Sequence, residues 1–255
     1  MFTFSQAIVR TPGRSMVSGL TQANLGLPDY EMALTQHRDY INALAACGLE
    51  VLALDADEGY PDSTFIEDAA VLTQHCAIIT RPAAPSRRGE ITAISQLLSS
   101  LYTRIETITA PGTLDGGDVM HIGSHFFIGL SGRTNREGAR QFIAILQRYD
   151  LTGTTVPVAE FLHLKTGVTC IADDTLLATG NCAERPEFSG YTVLAVSPED
   201  AGAANCLRIN DRILMPAHFP AVRKILTDLG EEVIEVDISE FAKLDGGLTC
   251  LSLRF

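Results

Sequence analysis

The sequence predicts an α/β fold, a five-bladed α/β propeller, and three observations carry that reading. Short apolar runs joined by polar turns recur along the chain, and each pair is followed by a further strand-like run. The two ends of the chain each hold half of one more such unit. The units begin near residues 69, 119, 168, 206 and 251. A spacing of this size marks an array of similar modules rather than one continuous sheet. Turns of two or three residues join antiparallel strands. A doubly wound parallel sheet therefore explains the alternation of helix and strand but not the turns. Two ends that share a unit close the array into a ring, with helices outside and hairpins toward the axis.

The elements follow in order. QAIVR from Gln6 reads as a strand. Apolar residues three and four apart predict a helix over 31–47, which Gly48 ends, and VLAL from Val51 resumes a strand. The first hairpin is AAVL-TQH-CAIIT from Ala69, followed by a helix over 89–101 and IETI from Ile105. The second is VMHI-GS-HFFIG from Val119, followed by a helix over 135–149 that Thr134 to Glu137 would open as a capping box, and then by TTVPV from Thr154. In the third unit, VTCIA-DD-TLLA from Val168, the segment ERPEFSG replaces the helix before YTVLAV from Tyr191. The fourth hairpin, CLRI-ND-RILMP from Cys206, leads to a helix begun by Pro220 and ended near Gly230, then to VIEV from Val233. The chain closes with LSLRF after Cys250, the partner expected for the strand at Gln6.

At 46% hydrophobic and 20% charged residues the composition excludes disorder, collagen and coiled coil. The 255 residues are expected to form a single catalytic domain, residues 1–255, large enough to bury roughly 70 to 75% of its unfolded surface without a disulfide or structural metal. Six cysteines, at 47, 76, 170, 182, 206 and 250, form no CxxC pair and read as reduced thiols. A net charge of −12 disfavours nucleic acid and anionic membranes, and mildly attracts a small cation. With no basic leader and no apolar stretch near the roughly 20 residues of a membrane span, the expected location is cytoplasmic.

Residues able to do chemistry recur at one position, just before each hairpin: Glu67 and Asp68, Asp115 and Asp118, His163, Asn205, and Cys250. In a ring those positions lie around one end of the axis. A cysteine, a histidine and carboxylates thus converge, which is the minimum set for nucleophilic catalysis. LDGG occurs twice at this same position, as Leu114 to Gly117 and Leu244 to Gly247, where paired glycines let backbone approach a ligand.

Seven stretches bear a resemblance to a known family. They are PDSTFIEDAAVL from Pro61, ITRPAAPSRRGE from Ile79, TLDGGDV from Thr113, GLSGRTNREGAR from Gly129, LHLKTG from Leu162, AANC from Ala203 and KLDGGLTCLS from Lys243. In this order and spacing the chain resembles the dimethylarginine dimethylaminohydrolases, guanidine-modifying enzymes of the pentein superfamily. The likeness runs from Pro61 onward, and the first 60 residues match loosely. It implies a fivefold α/β propeller and hydrolysis of Nω-methylated arginine to citrulline and methylamine or dimethylamine, with no metal and no organic cofactor. It further implies Cys250 as nucleophile, His163 as general acid and base, and Asp115 as the carboxylate paired with His163. Asp68 and Glu67 would hold the guanidinium, Asp62 and the backbone of Leu20 the α-amino group, Arg87 and Arg133 the α-carboxylate, and Leu244 would line the pocket. Some members are dimers, so the resemblance admits a homodimer, although no patch in the sequence identifies an interface.

Competing readings are an arginine deiminase or amidinotransferase of the same superfamily, a non-catalytic binder of arginine-like ligands, and a metal site at Cys250 and His163. Deiminases carry a helical insertion that 255 residues leave no room for. A binder needs no nucleophile, and two protein ligands leave a tetrahedral metal site incomplete. Residues 14–29, with Gly19, Gly26 and little periodicity, would make a flap over the site.

Overall fold

The computed structural model describes residues 3–255, whose strands form five separate sheets of three. Strand β1 (Gln6–Arg10) leads through helix α1 (Tyr30–Ala46) to β2 (Glu50–Leu54), which it pairs in parallel. The next blade comprises β3 (Ala70–Leu72), β4 (Ala77–Ile79), α2 (Ile91–Leu101) and β5 (Ile105–Thr107); its neighbour comprises β6 (Val119–Ile122), β7 (His125–Leu130), α3 (Arg136–Gln147) and β8 (Thr152–Pro157). After the single turn α4 (Leu164–Gly167) come β9 (Val168–Ala172), β10 (Thr175–Thr179) and β11 (Thr192–Val196). The last full blade is β12 (Leu207–Ile209), β13 (Arg212–Pro216), α5 (Pro220–Asp228) and β14 (Glu232–Val236). A short α6 (Ser239–Ala242) then precedes β15 (Leu253–Arg254). β15 runs antiparallel to β1, with Ala7 opposite Arg254, so the ring is closed by segments from its two ends, as expected.

Each middle strand is an almost unbroken apolar run because it is buried on both faces, and side chains on a strand alternate between faces. Ala7 and Val9 of β1 pack toward β12 and β13, whereas Ile8 packs toward β3 and β4. Ile78 faces the β6–β8 blade and Ile79 the β1 blade. Phe126 and Ile128 face β4, and Phe127 faces β9 and β10. Leu176 and Leu177, then Ile213 and Leu214, divide in the same way. The core is thus five seams, each shared by two neighbouring blades. Among the described residues no helix is long and apolar enough to cross a membrane.

As expected, ERPEFSG (residues 184–190) stands in place of a helix: a 3-10 turn, Gly180–Glu184, leads into it and a second, Pro186–Phe188, lies within it. One local expectation changes. Helix α3 is capped by Asn135, whose Oδ1 accepts from Gly138 N at 2.7 Å, not by Thr134. The hydroxyl of Thr134 is committed to the interior, where it donates to Asp118 at 2.7 Å. Gly48 and Gly230 end their helices at φ of 88° and 85°, a backbone region that glycine enters at little cost.

Candidate active site

The segment entering each inner strand lies at one end of the ring, and there the reactive side chains meet. A narrow cleft is lined by Leu20, Asp62, Asp68, Arg87, Arg133, His163, Leu244 and Cys250, together with Phe65, Leu162, Asp245 and Gly246. Eight of the ten expected site residues line it; Asp115 and Glu67 do not. A larger cavity of about 410 Å³, lined by Phe4, His75, Tyr102, Arg254 and Phe255 among others, holds none of the ten. Asp115, fully buried, sits just behind the lining and touches His163.

Cys250 sits on the 3-10 turn Thr249–Leu251, and its partly exposed sulfur accepts from Gly247 N at 3.4 Å. Asn205 holds that turn by accepting from Thr249 N at 3.0 Å. Burial, with the nearby charges of Glu67 and Asp68, pushes the thiol up to about 12, against a smaller opposing pull from Gly247 N–H and Lys165. At neutral pH the empty site therefore holds a thiol.

His163 directs Nε2 to Asp115 Oδ2 at 3.2 Å and to Asp68 Oδ1 at 3.9 Å. Burial alone would lower its affinity for a proton, but Asp68, Asp115 and Asp118 together outweigh that and raise it to about 9. The opposite balance holds for Asp68: burial opposes its charge, yet His163, Arg87 and the Gly117 N–H keep it ionised down to about 2. Gly117 makes this closeness possible, because a Cβ there would lie 2.6 Å from His163 Nδ1. Asp115 accepts from Ala83 N at 3.1 Å and stands 3.8 Å from Arg133 Nη1. Aspartate here is one methylene shorter than glutamate, and it still reaches the imidazole.

Also in the cleft, Asp62 Oδ1 accepts from Leu20 N at 2.9 Å. Burial raises its carboxyl, and Arg87 opposes the rise. Arg133 is the more available of the two arginines, its side chain 20% exposed. Arg87 is almost consumed: Nε and Nη2 grip Glu90, Nη2 also reaches Phe65 O at 3.0 Å, and Nη1 meets Asp68 Oδ2 at 2.5 Å. One Nη1 hydrogen remains free of these partners, and the ion pair with Asp68 holds that carboxylate in place. No sequence signal singles out Glu90, although it stands three residues from Arg87.

Glu67 does not line the cleft, although its charge is felt at Cys250. Its carboxylate takes Lys165 Nζ at 2.6 Å, Arg254 Nη2 at 2.9 Å and Thr249 Oγ1 at 2.9 Å. Glu67, Lys165 and Arg254 also border a separate cavity.

Asp68, Asp115 and His163 place ligand-capable atoms within 4.8 Å of one another. Arg87 and Arg133 already pair Asp68 and Asp115 with positive charge, which weakens this trio as a donor set for a metal ion. Residues 19–22 strap the cleft: Thr21 Oγ1 donates to Lys243 O at 2.9 Å and Gln22 N to Asp245 Oδ2 at 2.6 Å. The free space beneath is about 20 Å³, enough for about one water.

Comparison with known proteins agrees with this geometry. A family model described as "N,N dimethylarginine dimethylhydrolase, eukaryotic" matches residues 28–252, more of the N-terminal region than the motifs alone had suggested. The chain is 49% identical over 253 residues to the N(G),N(G)-dimethylarginine dimethylaminohydrolase of Pseudomonas aeruginosa, covering 99% of this chain and 100% of that protein. It is 39% identical to the Streptomyces coelicolor protein of the same name, covering 98% and 96%. A solved cysteine-to-serine variant of the Pseudomonas aeruginosa protein, complexed with citrulline, superposes with a TM-score of 0.98 over the whole of both chains. The N-terminal domain of the cyanobacterial arginine dihydrolase ArgZ, 18% identical, shares the fold with a TM-score of 0.88 over 99% of this chain and 97% of that one. With sequence, fold and cleft in agreement, the chain belongs to the dimethylarginine dimethylaminohydrolase family.

Proposed function

We propose that this protein hydrolyses Nω-methylated L-arginine to citrulline and methylamine or dimethylamine, with Cys250 as nucleophile. The observation that carries the reading is the alignment of the cleft. A thiol, an imidazole paired with Asp115 and the ionised Asp68 share the cleft with Arg133 and with Asp62, which is anchored on the Leu20 backbone. That is the charge pattern of an extended amino acid with a cationic tip.

The guanidinium carbon is a weak electrophile, so the site must fix it and aim the sulfur at it. Asp68 grips the cation. A positive charge about 4 Å from the sulfur, at an effective dielectric near 20, favours the thiolate by roughly 4 kcal/mol, or about three pKa units as an upper bound. Substrate thus draws the thiol down from about 12, its proton leaving to solvent, and activates its own attacker. Sulfur bonds to the guanidinium carbon. The His163 imidazolium gives its proton to the departing amine as the C–N bond breaks, leaving a thiouronium on Cys250. His163, now neutral, takes a proton from water as the hydroxide adds to the same carbon. The C–S bond then breaks and the adduct's hydroxyl proton passes to the departing thiolate, releasing citrulline and restoring the thiol. Asp115 holds the ring throughout. Arg133 receives the α-carboxylate with the spare N–H of Arg87, and Asp62 with the Leu20 backbone receives the α-amino group.

The test is to quench the protein during turnover of asymmetric dimethylarginine and weigh the peptide containing Cys250. The expected result is citrulline in solution and a mass increase on that peptide matching the amidino adduct. Citrulline formed without an adduct, and unaffected by Cys250→Ser, sinks the mechanism. Equal turnover of free arginine sinks the preference for methylated substrate.

A further inference from the structure

We infer that Asp118 is the positioning residue of this site, one buried carboxylate that holds His163, Arg133 and Asp115 in register. The inference rests on the proposed reaction for its kinetic consequences and on the hydrogen bonds alone for its geometry. Asp118 is fully buried and is not among the residues lining the cleft. Its Oδ1 accepts from the backbone N–H of Leu164 at 2.9 Å, fixing the residue that follows His163. Its Oδ2 accepts from Ser131 Oγ at 2.6 Å and Thr134 Oγ1 at 2.7 Å, the hydroxyls on either side of Arg133. Those hydroxyls relay the hold. Ser131 Oγ accepts from Arg133 N at 2.9 Å and Thr134 N at 3.3 Å, and Thr134 Oγ1 accepts from Asp115 N at 3.3 Å.

Only a carboxylate satisfies this arrangement. Ser131 Oγ has both lone pairs occupied by backbone N–H groups, so it can meet residue 118 only as a donor. Leu164 N–H is a donor as well. An asparagine would set its NH2 against one of these donors and leave that group unsatisfied in the interior. Space for the carboxylate comes from Gly129 in the middle of β7, where a Cβ would lie 2.5 Å from Asp118 Oδ1 and 2.8 Å from Leu164 Cβ. Asp118 also acts through its charge. His163 faces Asp68, Asp115 and Asp118, with Arg87 and Arg133 held against the first two, and all three carboxylates favour its protonated form.

Asp118→Asn is the test, read by steady-state kinetics on asymmetric dimethylarginine and by NMR titration of the His163 ring. The inference expects KM to rise about tenfold through Arg133, kcat to fall about tenfold or more through His163, and the ring to titrate about one unit lower. Ser131→Ala acts first on the Arg133 arm, since Thr134 and Leu164 keep their own bonds to Asp118, and should raise KM severalfold while kcat stays within about twofold. Wild-type KM, kcat and titration in a folded Asp118→Asn protein overturn the inference. So does a fall in kcat that merely follows the folded fraction, with KM and the titration unmoved. Should Asp118→Asn not fold, Ser131→Ala decides, and an unchanged KM there overturns it. If the wild type fails to turn over the methylarginine, the proposed reaction falls, while the His163 titration still tests Asp118 by itself.

Discussion

Cys250 illustrates how far a single residue can be understood from its surroundings. Its thiol is held protonated by burial and by Glu67 and Asp68, so a neutral alkylating reagent should modify the empty enzyme more slowly than free cysteine below about pH 10. Alkylation at the free-cysteine rate would contradict that electrostatic picture. His163 makes the opposite case. Its proton affinity is raised, so the imidazolium needed by the leaving amine persists to about pH 9 and is lost above it; kcat should fall on that alkaline side. Asp68→Asn removes the largest charge supporting that proton and the grip on the substrate cation. It should move the alkaline limb downward and lower kcat/KM about 10² to 10³-fold, measurable from pH profiles of citrulline formation. The sequence revealed Cys250, His163, Asp115 and Asp68 because equivalent repeat positions must converge in a ring. It could not tell which of the adjacent Glu67 and Asp68 faces the cleft. Glu67 is decided by Lys165 and Arg254, 98 and 187 residues away, and no local pattern records partners at that distance.

At the scale of elements, periodicity located the strands and four outer helices, while their ends depended on tertiary demands. Thr134 has the residue type and spacing of a helix cap, but the interior claims its hydroxyl and Asn135 caps instead. The sequence offered residues 14–29 as a flap over the site, without its points of attachment. In the structure it is tied at Leu20, Thr21 and Gln22 to Asp62, Lys243 and Asp245. With about 20 Å³ free beneath, entry of an amino acid is expected to require those ties to open. Thr21→Val removes one tie without touching the cleft lining. It should speed amide exchange across residues 19–27 and labelling of Cys250 by a bulky thiol reagent several-fold. An unchanged labelling rate would show that the strap does not control entry.

For the molecule as a whole, stability resides in five seams, and each middle strand feeds two of them. Phe127, which faces the seam between the β6–β8 and β9–β11 blades, should cost about 3 to 5 kcal/mol when cut to alanine, measurable by denaturant unfolding. The net charge of −12 should aid capture of a cationic substrate, so kcat/KM should decline by about two- to fivefold as salt rises from low to about 0.5 M. The propeller itself was legible because strands buried on both faces leave long apolar runs separated by polar turns. The irregular blade shows what that architecture permits. Between β10 and β11 two 3-10 turns stand where the other blades place a helix, yet Asn205, delivered just beyond, still clasps Thr249 beside the reactive sulfur. Hub and rim are therefore separable: chemistry is a property of the spokes' inner tips, and the circumference can be remodelled one blade at a time while the reaction at the centre proceeds undisturbed.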